Sequence, residues 1–147
     1  MAIDFYSPHR QHVIGPVWML PQKGSVSGGS KRPLNSYAIL RDGVSVLFDA
    51  PFSWVMDDVR SLADEHAPLA MAISHRDLAA SGDAFDVFAA EFGAPILLHP
   101  DDAATPKARD AAVPWDDPTS AENAAILREV GAELIHVPGH SPGSTML

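Results

Sequence analysis

Asp42-Gly43 stands between two apolar runs, residues 36–41 and 44–49, and beyond it the chain alternates helical and extended patterns. An Asp-Gly pair in that setting predicts a two-residue hairpin, because both central positions need a backbone that few other residues adopt. Residues 54–66 place Val55, Val59, Leu62 and Ala63 on one helical face. Pro68 then separates that helix from a buried strand at 69–74. Residues 83–92 carry Phe85, Phe88, Ala89 and Phe92 on one helical side, with Gly93 as a left-handed stop. A short strand at 95–99 follows. Thr119-Ser120-Ala121-Glu122 reads as a capping box opening a helix that ends by Gly131. Strands at 133–137 and from 144 onward complete the series. A hairpin followed by alternating helix and strand predicts a mixed, partly parallel sheet with helices packed on it. The pattern fits a doubly wound sheet and half of a helix-flanked β-sandwich equally.

Residues 13–20 predict an edge strand, because Pro16 has no N–H to give to a ladder. Residues 21–33, punctuated by Pro21, Gly24, Gly28, Gly29 and Pro33, predict a surface loop. Ser30-Lys31 and then Pro33 replace the Lys-Ser/Thr and helix that a phosphate-binding loop needs. Residues 100–118 hold four prolines and predict a surface excursion with one helical turn at 101–104. No internal repeat is evident, and 147 residues predict one domain spanning 1–147.

The chain has no cysteine, which excludes disulfides, thiolate metal sites and cysteine nucleophiles. Its formal charge of −9 argues against nucleic-acid binding, which rests on neutralising phosphates. That charge is uneven, since residues 1–41 hold five of the ten Lys and Arg but one of the nineteen acids. No apolar run approaches the roughly 20 residues that span a bilayer. The first residues lack the basic-then-apolar order of a signal peptide, so a cytoplasmic location is expected.

Chemistry concentrates at two histidines. His75 ends the apolar run from Leu69 to Ser74, and His140 lies in Val137-Pro138-Gly139-His140-Ser141-Pro142-Gly143-Ser144. Two Pro-Gly steps restrict that loop tightly. Histidines at neighbouring strand ends, far apart in sequence, can converge on one metal ion. A serine hydrolase is not expected. Ser74 and His75, as neighbours on a strand, should face opposite ways. Ser141 beside His140 has no third residue to orient the pair. His136 is expected to line one sheet face, and His9, His12 and His66 to be exposed or locally hydrogen-bonded. His66, at a helix end, complements the dipole.

Asn35-Ser36-Tyr37, Leu47-Phe48-Asp49-Ala50, Ser74-His75 and the Pro-Gly-His-Ser-Pro-Gly-Ser segment together resemble the metallo-β-lactamase superfamily. The likeness runs from about Val13 to Leu147 and covers the first half of that family's domain. It implies an α/β (α+β) fold, half of an αββα sandwich, with helices on the outer face of a mixed sheet. The family's His-x-His-x-Asp-His motif stands here as His75-Arg76-Asp77-Leu78-Ala79-Ala80. By that resemblance His75 and His140 keep two ligand positions and Asp77 replaces a histidine. Ala79 and Ala80 remove both second-metal donors. The implied site is His75, Asp77 and His140, holding one Zn or Fe ion or none, with Asp49 and His99 as outer support. The implied function is a degenerate metal-dependent hydrolase of weak or lost activity. The alternative is a non-catalytic binding or scaffold protein acting on an unidentified small molecule. The resemblance also implies a homodimer, or a missing C-terminal half, and no membrane partner.

Overall fold

The computed structural model describes residues 3–27 and 30–147. The first half of the chain is all strand: β1 (Ile3–Ser7), β2 (Gln11–Ile14), β3 (Val17–Met19), β4 (Gln22–Ser27), β5 (Ser30–Leu34), β6 (Tyr37–Arg41) and β7 (Val44–Phe48). The second half alternates: α1 (Met56–Ala63), β8 (Ala67–Ala72), α2 (Arg76–Ser81), α3 (Phe85–Phe92), β9 (Ile96–Leu97), α4 (Pro100–Ala103), α5 (Pro106–Asp110), β10 (Trp115–Asp116), α6 (Ala121–Glu129), β11 (Ile135–His136) and β12 (Thr145–Met146). Seven strands form one mixed sheet in the order β10-β9-β8-β7-β6-β3-β2. Pairing is parallel from β10 to β7 and antiparallel from β7 to β2.

The Asp42-Gly43 hairpin joins β6 to β7 as its sequence requires, with Arg41 opposite Val44. Alternation along these strands sorts the core into two faces. Ala38, Leu47, Met71, Ile73, Ile96 and Leu98 point to one side, where they meet Val59 and Leu62 of α1 and Phe85 and Phe88 of α3. Ile39, Val46, Ala70, Ala72 and Leu97 point to the other, against Leu127 of α6 and Val130. Both faces being buried explains why the run into β8 is apolar throughout. Gly93 ends α3 with φ 62°, a left-handed cap open to glycine at no steric cost.

Several segments differ from the sequence reading. Residues 13–20 are two strands, because Pro16 sits in the turn between β2 and β3 instead of inside a ladder. Residues 21–33, read as a surface loop, fall largely on β4 and β5, which pair beside β1 in a separate antiparallel sheet. Gly28 and Gly29 lie outside the described residues. Backbone pairing needs no apolar side chains, and Pro33 falls on β5, an edge where a missing N–H is tolerated. Pro68 lies inside β8, where the register slips between Ser45 and Val46 to accommodate it. The excursion at 100–118 is two short helices and a strand. Pro100 and Pro106 open α4 and α5, where a proline's absent N–H would have had no helical partner. Ser120, not Thr119, caps α6, its Oγ accepting from the Asn123 N–H at 3.2 Å. β11 pairs with β12 alone and does not extend the main sheet. No described helix is long and apolar enough to cross a membrane.

Candidate metal centre

Parallel β7 and β8 end on the same side of the sheet, and their ends carry Asp49 and His75. The Asp49 N–H donates to the Ala72 carbonyl at 2.9 Å. Its Oδ1 accepts from the Ser74 N–H at 2.7 Å, fixing the backbone just before His75. Burial pushes the Asp49 carboxyl up to about 6, against the pull of the Ser74 hydrogen bonds. Asp49 thus buttresses the strand end and does not itself join the histidines.

The strand stops at Ala72, so alternation no longer governs the next residues. Ser74 Oγ and His75 Nδ1 share a hydrogen bond of 2.8 Å, contrary to the sequence expectation that these side chains diverge. His75 is extended and opens α2, a helix the sequence reading did not anticipate. Its imidazole is pushed below the usual histidine range, chiefly by burial and then by His140. A neutral ring keeps a lone pair available for a metal.

α2 then turns Asp77 toward the loop between β11 and β12. His140 Nε2 donates to Asp77 Oδ2 at 3.0 Å. The His75 and His140 rings meet edge to face with centroids 4.6 Å apart. One ligand atom from each of His75, Asp77 and His140 lies within 4.8 Å of the others. The structure therefore brings together all three residues picked from sequence. It adds a fourth that sequence reasoning missed. Lys107 Nζ, on α5, is 2.6 Å from Asp77 Oδ1. This cation, first, and the His140 hydrogen bond hold the Asp77 carboxyl below the usual carboxylate range. Lys107 was invisible because the segment that carries it was read as irregular.

Asp102 was also missed, though it joins the two histidine-bearing segments. It is 0% exposed. Its Oδ2 accepts from Ser141 Oγ at 2.5 Å and from the Arg76 N–H at 3.0 Å, and its Oδ1 from the Gly143 N–H at 3.0 Å. Arg76 follows His75, and Ser141 follows His140. A Cβ on Gly143 would lie 2.7 Å from the Asp102 backbone nitrogen, so only glycine lets the loop approach this closely. The Thr145 N–H donates to the Ser74 carbonyl at 2.9 Å and closes the same junction from the other side.

The other histidines lie apart from this cluster. His99 caps α4, its Nδ1 accepting from the Asp101 N–H at 3.3 Å, and stacks on His136 with ring centroids 4.0 Å apart. His136 is exposed and donates from Nε2 to the Pro142 carbonyl at 2.7 Å. His12 is exposed and donates from Nε2 to the Gly15 carbonyl at 2.9 Å. His66 departs from the surface role expected of it: it is half-buried, and its Nδ1 has no hydrogen-bond partner among the described residues.

Two imidazoles and a carboxylate are a suitable donor set for zinc or ferrous iron. Zinc bonds of about 2.0–2.1 Å would bring tetrahedral donors to roughly 3.4 Å from each other. Ligand atoms that lie within 4.8 Å of one another need a closure of at most about 1.4 Å, which the exposed His140 can make by rotation. The donors thus fit one ion, while Lys107 opposes its charge. Ala79 is packed into the core and Ala80 is exposed, so neither offers a second ion anything.

No family model and no curated protein matches the sequence. Solved structures do match the fold. A metallo-β-lactamase from Erythrobacter litoralis aligns over 92% of this chain and 63% of its own, with TM-score 0.66 and 17% identity. The metallo-β-lactamase FIM-1 of Pseudomonas aeruginosa, solved in a mono-zinc form, aligns over 80% of this chain and 50% of its own, with TM-score 0.51 and 14% identity. TTHA1623, solved in a di-iron-bound form, aligns over 92% of this chain and 64% of its own, with TM-score 0.51 and 23% identity. The chain spans less than two thirds of each. At these identities the likeness speaks for architecture, and on it, with the sheet order and helices described above, this chain has the metallo-β-lactamase fold over the part of that fold it spans.

Proposed function

We propose that this chain is a degenerate metallo-hydrolase whose cleft takes a single zinc or ferrous ion on His75, Asp77 and His140 and retains weak activity at most. The observation that carries this reading is the convergence of those three side chains, with Lys107 already seated on the only carboxylate among them. The chemistry such an ion supplies is polarisation of a carbonyl or phosphoryl oxygen and acidification of water. The chain's own residues supply orientation. Asp49 fixes the backbone before His75, and Asp102 ties that segment to the loop of His140. His140 is the exposed donor facing solvent, where a substrate arrives. The mono-zinc and di-iron forms of the similar structures support zinc and iron as the ions to test.

A second reading is favoured by Lys107. An ammonium 2.6 Å from Asp77 gives that carboxylate a partner without any metal. The cleft would then bind a small molecule without turnover. Metal analysis of protein purified without chelators separates the two. The hydrolase reading expects about one zinc or iron per chain, lost in His75→Ala. Metal-free protein that cleaves no ester, thioester or lactam would overturn it in favour of the binding protein.

A further inference from the structure

Outside the centre just described, His99, Asp101 and His136 form a second group whose ligand atoms also lie within 4.8 Å of one another. We infer that this group, built from His99 at the start of α4, Asp101 within it and His136 on β11, is a separate site for a borderline divalent ion, zinc or copper(II). The inference rests on residues that the proposed centre does not use.

Three features carry it. The first is donor chemistry, since two imidazoles and one carboxylate suit zinc and copper far better than magnesium or calcium. The second is the state of the rings. His136 donates from Nε2 to the Pro142 carbonyl at 2.7 Å, which places its proton on Nε2 and leaves the Nδ1 lone pair free. A ring N–H held by a carbonyl is the usual outer support of a metal-bound histidine. His99 makes a longer contact, 3.3 Å from the Asp101 N–H, and its Nδ1 is 3.8 Å from Asp101 Oδ2. The third is placement. The His99 side chain is only 12% exposed and anchors the group, whereas Asp101 and His136 face solvent. The rings stack within 18° of parallel, so their lone pairs run side by side. An ion shared by the two rings requires a turn of the exposed His136 ring about Cβ–Cγ small enough to keep its Nε2–H on the Pro142 carbonyl.

The site would act on the neighbouring loop. His136 holds Pro142, two residues beyond His140, and Asp101 precedes Asp102, which holds Ser141 and Gly143. An ion on His99, Asp101 and His136 therefore clamps both ends of the segment that positions His140.

Zinc titration of the full chain against a chromophoric chelator, with cobalt(II) absorption as a second readout, tests this. His140→Ala, which disables the first centre, is expected to keep one zinc site of about 10 µM or tighter. His136→Ala is expected to lose that site while a zinc site sensitive to His75→Ala persists. The double variant should bind neither ion. Since His136 is exposed, its removal leaves the core intact, and circular dichroism of each variant confirms folding. If His140→Ala binds no zinc below about 100 µM, or if His136→Ala leaves the stoichiometry of the wild type unchanged, the inference is overturned. Failure of the first centre shows instead as insensitivity to His75→Ala.

Discussion

Asp49→Asn should change the pH dependence of stability in a way that no other substitution near the centre does. The Asp49 carboxyl is raised from 3.8 to about 6 by burial. Two units at about 1.4 kcal/mol each come to roughly 3 kcal/mol of penalty on the ionised form in the folded state. For a carboxyl whose folded value is raised, the associated stability is fully present below about pH 3.8 and is lost as pH rises through about 6. The wild type should therefore lose about 2.5 kcal/mol from this one group between pH 4 and pH 7. Asparagine keeps an oxygen to accept the Ser74 N–H and has no charge to bury. Its amide adds a buried donor that costs about 1–3 kcal/mol at every pH, which moves the whole curve without tilting it. The assay is urea unfolding of both proteins at pH 4.5, 5.5 and 7. All other titrating groups are common to both and cancel in the difference. The variant's stability relative to wild type should climb by about 2 kcal/mol across that range. Parallel pH profiles would refute the claim that the Asp49 carboxylate is held out of water.

Two further outcomes follow from the same geometry. Lys107→Ala should raise zinc affinity at His75, Asp77 and His140 about five- to tenfold in chelator competition, because it removes a positive charge and frees Asp77 Oδ1. Equal affinity would mean the ion does not use Asp77. Asp102→Ala should destabilise the fold by about 3–5 kcal/mol in urea, since three buried donors lose their acceptor. Amide exchange at Ser141 and Gly143 should accelerate with it.

The sequence showed most of the fold wherever periodicity and punctuation agreed. The Asp42-Gly43 hairpin, the phenylalanine face of α3 and its Gly93 cap were all legible, because each depends on contacts local in the chain. The failures share a cause as well. Proline and glycine were taken as marks of loop, yet Pro100 and Pro106 begin helices and Gly24 lies within β4. Which role a proline plays depends on whether the N–H it lacks would have been needed, and that is a property of the fold. The same blindness hid half of the candidate centre. His75, Asp77 and His140 could be picked out through a resemblance, but Lys107 and Asp102 sit on α5 and α4. Nothing local distinguishes Asp102 from Asp101, although one is fully buried and the other exposed.

What holds the histidines together does not depend on an ion. His75 is placed by the Ser74 N–H on Asp49, and the start of α2 by the Arg76 N–H on Asp102. His140 is placed by Ser141 and Gly143 on the same Asp102, and by the Thr145 N–H on the Ser74 carbonyl. None of these bonds passes through a metal. Replacing a donor at 77, 79 or 80 therefore removes chemistry without loosening the scaffold, and Ala79 even adds to the core. A buried carboxylate with every oxygen paired is costly to break, because removing one partner leaves the others desolvated and unmatched. Selection for stability alone would thus retain Asp102, Ser141 and Gly143 whether or not the histidines hold an ion, and a metal-free chain would keep the two imidazoles 4.6 Å apart all the same.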